Sequence, residues 1–75
     1  MIAVGRYARV TTAARTDVIG KVVEHRVGPY SEKFIVVRVP NWQADGYDKD
    51  WVVRVDEVER STAAACKAAA NKRWS

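Results

Sequence analysis

Apolar residues in this chain come in short runs broken by glycine, proline or charge, and the strongest run is Phe34-Ile35-Val36-Val37-Arg38-Val39. Five of its six residues are apolar, so neither alternating face is polar, the pattern of a strand covered on both sides. It is expected to be the central strand. Before it, Val4 to Thr12 alternates Val4, Arg6, Ala8 and Val10 with Gly5, Tyr7, Arg9 and Thr11. This reads as a first strand with Ala8 and Val10 facing inward. Residues 13–17, ending in Thr16-Asp17, form a polar connection, and a second strand runs from Val18 to Val27. Gly20 lies inside it, where a missing side chain marks a bulge or the close approach of another backbone, either of which lets a short sheet curl.

Gly28-Pro29-Tyr30-Ser31-Glu32 carries strong turn chemistry and should close a hairpin between the second and third strands. Pro40-Asn41 ends the central strand, because proline cannot donate to the ladder. Trp42 to Asp50 is a polar loop containing Asp45-Gly46, and Trp51-Val52-Val53-Arg54-Val55 resumes as a fourth strand. Asp56-Glu57-Val58-Glu59 reads as a single helical turn, with Val58 placed to plug the end of the core. Ser61-Thr62 can cap a helix from Ala63 to Trp74. Alanine is the best helix former, but isolated helices shorter than about 12–15 residues are marginal in water. That helix is therefore either frayed or docked.

The 75 residues set the scale: one domain, near the size where burial only just outweighs chain entropy, with no room for a deep substrate cavity. Two segments are expected, a β-rich body over residues 1–60 and an Ala-rich basic helix or tail over 61–75. The single cysteine, Cys66, excludes a disulfide within the chain and makes a reducing cytoplasm the default compartment. No apolar run approaches the roughly 20 residues of a membrane span, so the chain reads as soluble and unprocessed. The net charge of +4 is unevenly placed. Residues 1–60 hold ten Lys or Arg against nine Asp or Glu, whereas 61–75 hold Lys67, Lys72 and Arg73 with no acid. The basic character is concentrated near the C-terminal helix. The Ala, Val and Arg content fits a GC-rich genome, such as that of a bacterium or its phage.

The order of strand, polar loop, Gly-containing strand, hairpin, strand, polar loop, strand and helical turn resembles the small SH3-like barrels, including KOW and Tudor-type modules. The likeness spans Val4 to Glu59 and rests on Val4-Gly5, Gly20-Lys21-Val22-Val23 and Val53-Arg54-Val55-Asp56-Glu57-Val58-Glu59. It implies a mainly β fold, a small SH3-like barrel or bent antiparallel sheet of four or five strands with a C-terminal α-helix. It also implies a non-enzymatic module that binds RNA, DNA, ribosomes or protein partners. The scattered aromatics do not supply a methyl-lysine cage.

A pairing of Val22 with Val37 places Lys21 opposite Arg38 and Val23 opposite Val36, and a second hairpin turning at Gly46 places Arg54 beside Arg38. Lys21, Arg38 and Arg54 then form a row of cations on one sheet face. Like charges across strands destabilise a sheet, so the row calls for an anion, either a phosphate backbone or local acids such as Glu24, Glu57 and Glu59. Trp42 or Tyr30 can stack a base, and Lys72 and Arg73 can add tail contacts. Trp42 can equally lie as a lid over the end of the core. The same face carries Val23, Phe34, Val36 and Val52, too much apolar surface to leave wet. It is expected to be covered by the C-terminal helix or by a second copy of the chain.

Other residue types offer little chemistry. Asp45, Asp48 and Asp50 lack the spacing of a calcium hand and read as a solvated turn. His25 has no nucleophile placed near it and reads as a strand surface residue. Cys66 reads as a small packing residue. Lys67, Lys72 and Arg73 complement the negative end of a helix. The expectation is a binding module with no catalytic residue, metal, cofactor or small-molecule substrate. Nucleic acid is its first partner, and protein docking or self-association through the apolar face is the alternative.

Overall fold

The computed structural model describes residues 1–74. Five antiparallel strands form one sheet: β1 (Tyr7–Val10), β2 (Ile19–Val27), β3 (Lys33–Val39), β4 (Lys49–Arg54) and β5 (Val58–Ser61). Their order is β4-β3-β2-β1-β5, which puts the Phe34–Val39 run at the heart of the sheet. A 3-10 turn, Val55–Glu57, joins β4 to β5, and helix α1 (Ala63–Lys72) follows. No described helix is long and apolar enough to cross a membrane.

Alternation decides which side chains go inside. Ala8, Val10, Val18, Val22, Ile35, Val37 and Val39 are completely or almost completely buried on one face, and Val53 and Ile2 join the same cluster. No second sheet covers that face, so the sheet bends around it. Val58 of β5 and Val55 after β4 reach the cluster from opposite ends of the strand order, and Trp42 and Trp51 pack against it. Bending stops short of a closed barrel, because β4 and β5 share no ladder and each leaves a free edge. The bent-sheet form of the expected fold is therefore the one adopted.

Gly20 shows why the curl is possible. A Cβ there would collide with the Arg38 carbonyl oxygen and come within 2.6 Å of Arg38 C and 2.9 Å of Val39 N, so β2 and β3 approach more closely than any side chain permits. The bulge itself falls elsewhere, between Val22 and Glu24. The hairpin tip forms at residues 28–32, with Gly28 N–H donating to Glu32 O at 2.7 Å and Ser31 N–H to Gly28 O at 3.1 Å. Its positive φ belongs to Ser31, at 63°, and not to Gly28.

Helix α1 is docked. Thr62 caps it, its hydroxyl accepting from Ala65 N at 3.1 Å, and Cys66 and Ala69 are buried against Ile19, with Tyr7 and Ala65 alongside. Small side chains let the helix lie close to β2, where the Cys66 thiol donates to Ile19 O at 3.4 Å. Burial pushes that thiol's pKa up. The helix covers the Ile19–Tyr7 end of the outer sheet face, not the Phe34–Val52 end. Its final turn is latched by Arg73, whose guanidinium donates to the carbonyls of Pro40 and, at 2.6 Å, Asp17. Arg73 Nε lies 3.4 Å from the Asp17 carboxylate, an ion pair without a hydrogen bond. Trp74 Nε1–H adds a bond to Asn41 O at 2.7 Å.

Candidate nucleic-acid interface

The observed registers decide which outer-face residues meet. Lys21 is opposite Arg38 and Val22 opposite Val37, as expected, but the bulge sets Glu24, and not Val23, against Val36. Val23 is left half-buried at the bulge. The β3–β4 register differs more. Arg38 faces Asp50, and Arg54 faces Phe34, because the pairing centres on Ala44 and not Gly46, which shifts β4 by four residues along β3 without changing faces. Lys21, Arg38 and Arg54 therefore do not form one row. Arg38 instead makes a two-pronged ion pair with Asp50, at 2.8 and 3.1 Å. That hydrogen bond holds the Asp50 carboxyl below its ordinary range and raises Arg38 further.

The remaining expected contacts are dispersed. Arg73 is buried, with both terminal guanidinium nitrogens donating to backbone carbonyls inside the fold, so it offers no cation to a ligand. Trp42 has Arg15 and Arg73 over its ring at 5.4 and 5.1 Å and Trp51 edge-on at 5.2 Å. It is a lid over the core, not a free stacking surface. Tyr30 is fully displayed at the β2–β3 hairpin tip, its N–H donating to Glu32 Oε2 at 2.9 Å. Lys72 lies exposed on the last turn of α1. Of the apolar set, Val36 is buried, Phe34 and Val23 are half-buried, and Val52 is exposed. His25 is an exposed strand residue whose Nε2 meets Ile2 O at 2.7 Å, tying down the N-terminal segment.

Two clefts gather what the linear sequence separates. The first, of about 540 Å³, lies on the outer face between β2, the N-terminal segment and α1, and is bordered by Tyr7, Lys21, Arg38, Pro40, Asp48 and Cys66. The second, of about 720 Å³, is bordered by Arg6, Tyr7, Arg60, Ser61 and Thr62. Gly5 and Tyr7 belong to both, so the half-buried Tyr7 ring is the ridge between them. β1 explains the convergence, since Tyr7 pairs with Lys21 on one side and Ser61 on the other.

The charges around this ridge are uneven. Asp17, Glu24, Asp50 and Glu59 are each matched to an arginine, Asp50 to the cleft-lining Arg38, and Asp48, at the rim of the first cleft, accepts from Asn41 N–H at 3.2 Å. Among the described residues no carboxylate borders the second cleft. Arg6, Lys21 and Arg60 make no ion pair with any described carboxylate. Sequence reasoning missed Arg6, Tyr7 and Arg60 because their proximity depends on β5 returning beside β1 across some fifty residues, which no local pattern announces.

No protein family, no curated protein and no solved structure matches the chain.

Proposed function

We propose that the protein is a non-enzymatic binding module that holds a nucleic-acid backbone across the Tyr7 ridge, with Arg6 and Arg60 on one side and Lys21 on the other. The observation that carries this reading is the meeting of two clefts at one half-buried tyrosine, Lys21 bordering one and Arg6 and Arg60 the other, none of them ion-paired with a described carboxylate. Phosphates satisfy such cations, and an aromatic edge between them suits a strand whose bases are unpaired. Arg38 contributes less, because Asp50 already neutralises much of its charge. The order of strands and turns supports kinship with the SH3-like modules, and a cytoplasmic setting goes with the reduced Cys66.

Fluorescence anisotropy with mixed-sequence single-stranded RNA and DNA tests the reading. Affinity should fall with added salt, with a log–log slope of roughly −0.7 per phosphate contacted. Arg6→Glu with Arg60→Glu, and separately Lys21→Glu, should each flatten that slope and weaken binding. Arg54→Glu, far along the sheet, should change it little. Absence of binding at low salt would remove nucleic acid as the ligand. The competing reading, docking of a protein on the outer face, draws on the exposed Val52 beside Phe34 and leads to the β4 edge.

A further inference from the structure

The outer edge of β4 has no neighbouring strand, on the side of the sheet farthest from β1 and β5, and at its end the Arg54 backbone N–H donates to the Glu57 carboxylate at 3.2 Å, a bond that an incoming strand must displace. Such edges template pairing with another strand unless charge, proline or a bulge blocks them. β4 has neither proline nor bulge. Its outer-face residues are Asp50, Val52 and Arg54, opposite Arg38, Val36 and Phe34 of β3. Val52 is 51% exposed, and Arg54 makes no ion pair with any described carboxylate.

We propose that β4 pairs antiparallel with β4 of a second copy of the chain, joining two five-stranded sheets into one. The residue pattern selects a single register. With Val52 opposite its own copy, each Asp50 faces the partner's Arg54, and Trp51 faces the partner's Val53. Sliding by two residues sets the exposed valine against a charge. Sliding by four sets Asp50 against Asp50 or Arg54 against Arg54, which repel. The favoured register is two-fold symmetric, as an isologous dimer requires. Asp50 can serve both Arg38 and the incoming Arg54, because a carboxylate offers about four acceptor sites. A contact of one strand edge and a few side chains is small, so the dimer is weak and concentration-dependent. It leaves the Tyr7 ridge of each copy open, the two ridges lying toward opposite ends of the joined sheet.

Sedimentation equilibrium over a concentration series into the high micromolar range tests this. The native chain should move from monomer to twice that mass. Arg54→Asp places two acids together on each side, and Asp50→Arg two arginines, so each variant alone should stay monomeric. An equimolar mixture restores both attractive pairs and should regain the doubled mass. Circular dichroism checks that each variant is folded, and Val52→Glu, an exposed site with no hydrogen bond to lose, should be monomeric as well. A native chain that stays monomeric throughout overturns the proposal. So does a dimer that survives Arg54→Asp or Val52→Glu, or a mixture of folded variants that stays monomeric.

Discussion

Replacing Arg73 by alanine removes the one buried charged side chain among the described residues. The guanidinium has no solvent-exposed side-chain surface, donates to two backbone carbonyls and lies 5.1 Å above the Trp42 ring. Hydrogen bonds from charged groups are worth about 1.5–3 kcal/mol each, and breaking a buried ion pair from one side costs about 3–5 kcal/mol. The lower part of that range applies, because Asp17 keeps Arg15, at 3.0 and 2.8 Å, and is not stranded. The carbonyls of Pro40 and Asp17 are what lose their donor. A loss of about 3 kcal/mol is large for a 75-residue chain, whose total stability at about 0.05–0.15 kcal/mol per residue is only about 4–11 kcal/mol. With a urea slope near 1 kcal/mol/M, the unfolding midpoint should fall by about 3 M, read by tryptophan fluorescence. Arg73→Met keeps much of the packing and should recover only a minor part. A midpoint shift below about 0.5 M, at that same slope, would refute the buried-latch account. Loss of nucleic-acid binding with unchanged stability would restore Arg73 to the surface.

Gly20→Ala forces a methyl group into the β3 backbone and should cost about 1–3 kcal/mol in a urea titration; a neutral result would mean the strands are not in that contact. The Arg38 hydrogen bond depresses Asp50, so its contribution is present above the unfolded carboxylate pKa and is lost as pH falls through the depressed folded value. Asp50→Asn should therefore lower stability at neutral pH and flatten its decline in acid, and identical pH profiles for the two proteins would contradict the pairing. Cys66, buried and with its thiol pKa raised, should react with a disulfide reagent far more slowly in the native state than in urea. Labelling at equal rates in both would show that α1 is undocked.

Much of the fold was legible from local pattern. Phe34–Val39 announced the central strand and Ala8 and Val10 their inward face, while Gly20 left a bulge and a close passage equally open and the structure has the close passage. The expected Lys21–Arg38 pairing is the one found, although the hairpin at 28–32 reaches it only through the unforeseen bulge between Val22 and Glu24. The β3–β4 register was not legible, because the loop between these strands is long and several turn positions within it satisfy the same alternation. Arg54 accordingly lies opposite Phe34 instead of beside Arg38. Arg73 illustrates a different limit. On a sequence it is one more cation in a basic segment, and only the meeting of Asp17, Pro40 and Trp42 around it reveals a structural role. The latch also means that removing residues 61–75 strips Cys66, Ala69 and Arg73 from their packing, so such a deletion is not a neutral test of the sheet.

The edge-on Trp42–Trp51 pair, with ring planes at 86°, gives the molecule its own optical gauge. Two indoles this close and this oriented couple their excited states, and the resulting dichroism vanishes once they separate. Arg73 rests on one ring and Lys49 lies 5.2 Å over the other, so the signal reads the junction of the long loop, β4 and the end of α1. Followed beside the backbone signal during unfolding, it separates release of the helix from collapse of the sheet in a single unlabelled sample.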